Sequence, residues 1–158
     1  MPTLDPGGEY LTRAWESSVY PLAERLGITM RLPPVQPRSR RAHEAAHWAR
    51  TQDYFDAYNA ALFRAFFERG EDIGQVKILT KLAGELGLDQ AALQAALASR
   101  EFEVSVLTDE REAAALGLSG VPALVANRRV ALSGVQSLTS LQALVERART
   151  LHQPQQNA

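Results

Sequence analysis

Two histidines one helical turn apart are the residues in this sequence whose spacing most directly suggests chemistry. His43, Glu44 and His47 stand in the order H-E-x-x-H. On a helix, residues four positions apart lie on the same face, so the two imidazoles could bind Zn²⁺ together. Glu44 would then act as the general base of a hydrolase.

The residues around this motif fit a zinc hydrolase poorly. The longer zinc-protease motif requires a glycine and a third histidine where this sequence has Arg50 and Asp53. Glu68 and Glu71 are the remaining candidates for a third ligand, on their distance along the chain alone. The alternative is a surface helix whose histidines are half exposed. We therefore predict no metal at the two histidines.

A second candidate site is a short apolar run that begins at a proline. Gly120, Val121 and Pro122 lead into an apolar stretch at 123–126, a polar turn at 127–129 and a second apolar stretch at 130–134. This pattern is typical of a β-hairpin. Proline cannot donate to a sheet, so it belongs at the first residue of a strand. An X-Pro bond at such a junction is a usual place for a cis peptide, which we predict for Val121–Pro122.

Composition excludes several classes of function. The sequence has 158 residues and no cysteine, so disulfides, thiolate metal sites and thiol redox chemistry by its own residues are excluded. A net charge of −1 provides no field that would recruit nucleic acid. No apolar run approaches the roughly 18 residues of a membrane helix. The first residues lack the pattern of a signal peptide, so we expect a cytoplasmic protein.

Three segments carry a family resemblance. Residues 116–136, which include Gly-Val-Pro and the later Ser-Gly-Val-Gln, resemble the C-terminal half of the thioredoxin fold in DsbA-like oxidoreductases. Residues 33–43 and 62–74 resemble the same family, in its branch of FrnE and 2-hydroxychromene-2-carboxylate isomerase. Together the resemblance covers about residues 28–150.

The resemblance implies an α/β fold, which we expect to be an incomplete thioredoxin-like fold with a large inserted helical subdomain. We assign one domain over 1–158, mainly helical over 28–116, with the cis-proline hairpin and a C-terminal helix over 117–152. In the family, the residue before this proline offers its backbone N–H and C=O to an extended peptide or to glutathione. Gly120, Val121 and Pro122 are therefore the expected binding residues for a peptide or a glutathione-like thiol. The alternative is that Pro122 simply begins a strand.

Helical periodicity and caps predict the elements that position these residues. Helices are expected over 15–26, 40–52, 54–69, 76–86, 90–98, 102–116 and 138–152, with a short extended run at 28–32. The first helix would be capped by Ser17 or Ser18, with Pro21 in its first turn. Ser39, Asp53 and Asp89 are the predicted caps of later helices.

Two further clusters have a chemical and a structural interpretation. Arg38, Arg40, Arg41 and Arg50 could bind an anion, or could form a solvated helix surface. The alanines of the same helix form a small-residue stripe for close packing, at Ala42, Ala45, Ala46 and Ala49. An aromatic stripe could line a groove for a ligand, or could be core; it comprises Phe55, Tyr58, Phe63, Phe66 and Phe67.

Three functional hypotheses remain. The first is a fragment or truncated DsbA-like oxidoreductase, redox-inactive by itself because the family's Cys-x-x-Cys segment is missing, and with no cofactor. The second is a peptide-binding or dimerisation module that kept the proline edge, and the third is a zinc hydrolase through His43 and His47. We also expect a homodimer, because the hairpin would leave unpaired backbone groups along Leu124 and Val125.

Overall fold

In a computed structural model of the protein, residues 9–151 are described, and the chain divides into two compact units at Leu107. The sequence also predicts an extended tail over residues 1–8 and a frayed polar tail over 153–158, and both lie outside the described residues. The assignment of one domain to the whole chain stays a prediction.

The first unit begins with a helical run that starts earlier than predicted. Helix α1 (Glu9–Ala14) passes into a π-helical turn (Trp15–Val19) and then into α2 (Tyr20–Arg25). The backbone is already helical at Ala14, so the predicted start at Trp15 and the predicted serine caps are wrong. Pro21 lies near the start of α2, directly after the wider π turn, where its missing N–H is tolerated.

The core of this unit is a cluster of four helices. They are α3 (Arg40–Thr51), α4 (Phe55–Phe63), α5 (Val76–Glu85) and α6 (Gln90–Ser99), and α4 continues into a second π turn, Arg64–Glu68. The predicted alanine stripe of α3 is confirmed, since Ala42, Ala45, Ala46 and Ala49 are all buried. Small side chains let α3 approach its neighbours closely, and Tyr58, Leu79, Leu82 and Leu93 fill the centre.

Two of the three later caps differ from the prediction. Asp89 caps α6 as predicted, because its carboxylate accepts from the N–H groups of Ala91 and Ala92. Ser39 occupies the cap position of α3 but makes no side-chain cap bond. Asp53 is not a cap: it has a left-handed φ of 60° in the turn that ends α3, and Tyr54 precedes α4.

The other connections complete the first unit. The run at 28–32 forms no strand, although the N–H of Arg31 donates to the carbonyl of Phe67 over 2.7 Å. Helix α7 (Glu103–Ala115) crosses the boundary between the two units.

The second unit contains a β-hairpin and the last helix. Strands β1 (Ala123–Ala126) and β2 (Val130–Ser133) pair antiparallel with Ala123 opposite Ser133, and they are the only strands among the described residues. The connecting turn has positive φ at Asn127 and Arg128, which suits a tight hairpin turn. Helix α8 (Leu138–Thr150) packs against both strands. Helices with a small sheet make the chain mixed α/β, as predicted.

Candidate functional site

The most exposed part of the hairpin unit is the peptide that precedes β1. The Val121–Pro122 bond is cis, and the Val121 residue is 95% exposed. Among the described residues, no hydrogen bond reaches the backbone N–H or C=O of Val121. The carbonyl of Pro122, in contrast, accepts from the N–H of Gly134 over 2.8 Å. The residue before the proline therefore offers one free donor and one free acceptor.

The register of the hairpin extends this open edge along β1. Because Pro122 is bonded to Gly134, and bonded pairs alternate in an antiparallel ladder, Leu124 and Leu132 form the next bonded pair. The backbone groups of Ala123 and Val125 then point away from β2. The expectation of open groups at Leu124 is wrong for this reason, whereas Val125 lies at the edge as expected.

Side chains around the hairpin hold this edge in place. The amide of Asn127 donates to the carbonyl of Ala148 over 2.9 Å, which ties the turn to α8. Arg128 forms an ion pair with Glu112. Gln136 donates to the carbonyl of Ser133 over 2.6 Å, just beyond the end of β2. The turn and the exit of the hairpin are thus both fixed by side-chain contacts.

The H-E-x-x-H motif lies on α3 in the first unit, and its members differ in environment. His43 is exposed, His47 is half-buried, and Glu44 is buried at 5% exposure. Within the described part of the chain, no group of three or more His, Asp or Glu side chains is arranged to hold a metal ion. Neither Glu68 nor Glu71 completes such a group; the carboxylate of Glu71 accepts from Lys81 over 2.7 Å.

The arginine cluster divides in the structure. Arg38, Arg40 and Arg41 line a cleft of the first unit, together with Glu44. Arg50 does not lie there, because its guanidinium stacks 4.2 Å over the ring of Phe55.

The aromatic stripe also divides. Tyr58 is buried, Phe63 is exposed, and Phe55, Phe66 and Phe67 are half-buried. Phe67 contacts Trp15 of the first π turn at a ring-centroid distance of 6.4 Å. Part of this stripe is therefore core, and part joins the first helical run to the second π turn.

With this geometry established, comparison with known proteins identifies the family. A family model described as a DSBA-like thioredoxin domain matches residues 13–146. The chain belongs to the DsbA-like thioredoxin family. The predicted family and the α/β thioredoxin-like class are confirmed by this match and by structural neighbours of the same family. This DsbA-like chain contains no cysteine, so the Cys-x-x-Cys of the family is absent from its 158 residues.

The DsbA-like chain is similar to several individual proteins. It is 38% identical over 104 residues to the uncharacterized protein YwbO of Bacillus subtilis, and spans about half the length of that curated relative. It is 25% identical to the structure of a probable DsbA oxidoreductase from Streptomyces coelicolor, with a TM-score of 0.81 over 99% of this chain and 76% of the other. A second structure comes from Nitrosomonas europaea and is provisionally described as a protein disulfide isomerase. It is 21% identical to this chain, has a TM-score of 0.74, and covers 97% of this chain and 79% of the other. At this identity the similarity shows the fold alone.

None of the helices between residues 9 and 151 combines the length and the apolar character that crossing a bilayer requires.

Proposed function

We propose that this DsbA-like chain is a binding module that pairs an extended peptide with the open edge of β1 and does no thiol–disulfide exchange with its own residues. The observation that carries the proposal is the exposed backbone of Val121, continued by the outward-facing groups of Ala123 and Val125. The FrnE-like branch and the cytoplasmic location of the protein both remain predictions.

The binding mode is the addition of a strand to a sheet edge. An extended peptide alternates its outward N–H and C=O groups with the same two-residue period as β1, so its backbone can pair with Ala123 and Val125. The free groups of Val121 extend this row by one residue on the N-terminal side. Main-chain hydrogen bonds would supply the affinity, which makes the module tolerant of peptide sequence. A glutathione-like thiol, itself a short peptide, could use the same groups.

The absence of redox turnover follows from the chemistry of the exchange reaction. Thiol–disulfide exchange begins with attack of a thiolate on a disulfide sulfur. The sequence supplies no thiolate, and a serine or threonine hydroxyl does not replace it in a redox reaction. Of the family's two abilities, binding an extended chain and oxidising or reducing it, we propose that this chain keeps the first.

Substitution of Val125 by proline tests the binding mode. Proline removes the one outward N–H at this position but leaves the bonded pairs of the hairpin intact, and it is tolerated on edge strands. Ala131, which lies opposite Val125 on β2, provides the matched control, because Ala131→Pro removes an outward N–H from the other edge. The probe is reduced, carboxymethylated insulin B chain, added to the ¹⁵N-labelled protein.

We expect the probe to shift the amide resonances of Val121, Ala123 and Val125 in the wild type and in Ala131→Pro. In Val125→Pro the affinity should fall about fivefold or more, the equivalent of one lost hydrogen bond. Equal binding by all three proteins would show that the β1 edge is not used. A parallel insulin-reduction assay with dithiothreitol should show no rate above the uncatalysed one; measurable turnover would contradict the redox part of the proposal alone.

A further inference from the structure

A cleft in the first unit is built from residues other than those of the hairpin. Its volume is about 910 Å³, and its walls come from the loop at 35–38, the first turns of α3, the loop at 72–75, the end of α6 and the start of α7. The size is within the range of ligand sites for small molecules. The peptide edge described above contributes no residue to this cleft.

Glu44 is the polar group at the wall of the cleft that lacks a partner. The residue is only 5% exposed, and its Oε2 atom is buried without a hydrogen bond to any described residue. A buried carboxyl oxygen without a partner destabilises a folded protein, so such groups are rare unless something binds them. Because Glu44 is also one of the residues that line the cleft, its unsatisfied oxygen points to a ligand bound there.

The charged groups around Glu44 decide which kind of ligand fits. Arg38 and Arg41 line the cleft, and neither forms an ion pair with the described residues. Arg100 also lines it, in a left-handed turn with φ 55° at the end of α6, and contacts Glu103 over 3.3 Å. Because a guanidinium binds carboxylate or phosphate through two parallel hydrogen bonds, this side of the cleft favours an oxyanion.

The other acidic groups in the cleft are already engaged. The two carboxylate oxygens of Asp72 accept from the N–H of Gly74 and from the side chain of Gln75, both over 2.9 Å. Glu103 accepts from Arg100. The lining nevertheless carries more positive than negative side chains, because four arginines stand against three acidic residues.

Burial and the neighbouring arginines act on the pKa of Glu44 in opposite directions. Burial raises the pKa of this carboxyl above its ordinary value of 4.5, and the nearby Glu103 raises it further, while Arg100, Arg41 and Arg40 lower it. Arg38 and Asp72 are the remaining charged groups of the lining. A protonated carboxyl has one O–H donor, so Glu44 can donate to an anion that the arginines hold.

We propose that this cleft binds a small oxyanion-bearing ligand, a carboxylate or a phosphate, between Arg38 and Arg41, with the buried carboxyl of Glu44 donating a hydrogen bond to it. The H-E-x-x-H motif thereby receives a different meaning, because its Glu44 serves the cleft and not a metal. The proposal is independent of peptide binding at β1.

Calorimetric titration of the full chain with succinate and, separately, with inorganic phosphate tests this proposal. The concentration should reach about 10 mM, beyond the millimolar affinity of a weak small ligand. The variants are the double substitution of Arg38 and Arg41 by alanine and the single substitutions Glu44→Gln and Glu44→Ala. Arg25→Ala is the control, because Arg25 is exposed and does not line the cleft. Far-UV circular dichroism checks that each variant is folded, and Glu44→Gln keeps the shape of the side chain if Glu44→Ala does not fold.

We expect one of the two anions to bind, and the tighter one identifies the class of ligand. Loss of both arginines, or Glu44→Ala, should weaken binding about tenfold or more, as expected for a hydrogen bond to a charged group, whereas Arg25→Ala should not change it. Glu44→Gln should bind within about threefold of the wild type, because an amide N–H replaces the O–H donor.

The dependence on pH distinguishes a donating Glu44 from a charged one. Wild-type affinity should fall as the pH rises through the raised pKa of Glu44, because the O–H donor is lost, and Glu44→Gln should not show this decline. Three results would each overturn the proposal: no binding of either anion, binding unaffected by the arginine and Glu44→Ala substitutions, or affinity that rises with pH and disappears in Glu44→Gln. The last result would mean that Glu44 supports binding as a carboxylate and not as a hydrogen-bond donor.

Discussion

At the scale of single residues, Tyr58 joins two helices of the core by a buried hydrogen bond. Its side chain is fully buried, and its hydroxyl donates to the carbonyl of Leu79 over 2.8 Å, which connects α4 to α5. Burial raises the pKa of this phenol, because the charged phenolate is disfavoured away from water. A tyrosine in the unfolded chain titrates near a pH of about 10.

The pH dependence of stability follows from this difference. Above a pH of about 10, the unfolded state releases the phenolic proton and the folded state does not, so the contribution of Tyr58 to stability, complete below that pH, is lost as the pH rises. We expect Tyr58→Phe to cost about 1 kcal/mol at pH 7 through the lost hydrogen bond, and to decline less steeply than the wild type above pH 10.

Urea unfolding at several pH values between 7 and 11 measures both effects. Tyr54→Phe is the matched control, because Tyr54 is exposed and its side chain caps no helix. The control should leave the free energy of unfolding within about 0.5 kcal/mol of the wild type. Parallel curves for the wild type and Tyr58→Phe at alkaline pH would show that the phenol is not shielded from water.

At the scale of secondary structure, the N-terminus of α6 provides a test of capping. The Oδ1 atom of Asp89 accepts from Ala91 and Ala92 over 2.8 and 3.0 Å, and α6 buries Leu93 and Leu97 in the core. Loss of the cap should therefore destabilise the whole unit. We expect Asp89→Ala to lower the free energy of unfolding by about 1 kcal/mol.

Ser39→Ala is the control for this prediction. Ser39 holds the same position at α3 but makes no cap bond, so its substitution should change the free energy of unfolding by less than about 0.5 kcal/mol. Urea unfolding midpoints at pH 7 give both values. Equal losses in the two variants would mean that the cap bond of Asp89 does not decide the stability of its helix.

The difference between Asp89 and Ser39 also shows how far the sequence determines these elements. Local signals were sufficient for the cap at Asp89, the hairpin turn after β1 and the alanine stripe of α3. They failed at Asp53, because a left-handed turn and a cap position attract the same residue type. They also failed at the start of the first helical run and at the two π turns, for which the helical periodicity gives no separate signal.

The candidate sites show the same limit. The proline edge was predictable from Gly-Val-Pro and its family resemblance, but the backbone groups that face outward depend on the register, which composition does not reveal. The burial of Glu44 went unpredicted, although one signal was present: Glu44 lies four residues before the buried Trp48 and next to the alanine stripe. Whether such a carboxyl has a partner depends on residues far along the chain, here in α6 and α7.

At the scale of the whole molecule, the open edge of β1 raises the question of self-association. The hairpin is a sheet of two strands in the described part of the chain, and such hairpins are marginal in water by themselves. Its unit also exposes apolar side chains at Val121, Val135 and Leu138. An unpaired apolar edge is a template for pairing with another chain, and pairing two copies about a two-fold axis satisfies both edges at once.

We expect the purified chain to form a dimer through β1, with a mass in sedimentation equilibrium of twice the 17.3 kDa chain at micromolar concentration. Val125→Pro should shift the protein towards monomer, whereas Ala131→Pro on the opposite edge should not.

Since an added peptide and a second copy would pair with the same backbone groups, a peptide that binds β1 should also dissociate the dimer by mass action. A dimer that persists in Val125→Pro and in excess peptide would place the interface elsewhere, and a single species at the mass of one chain would show that the edge does not self-associate.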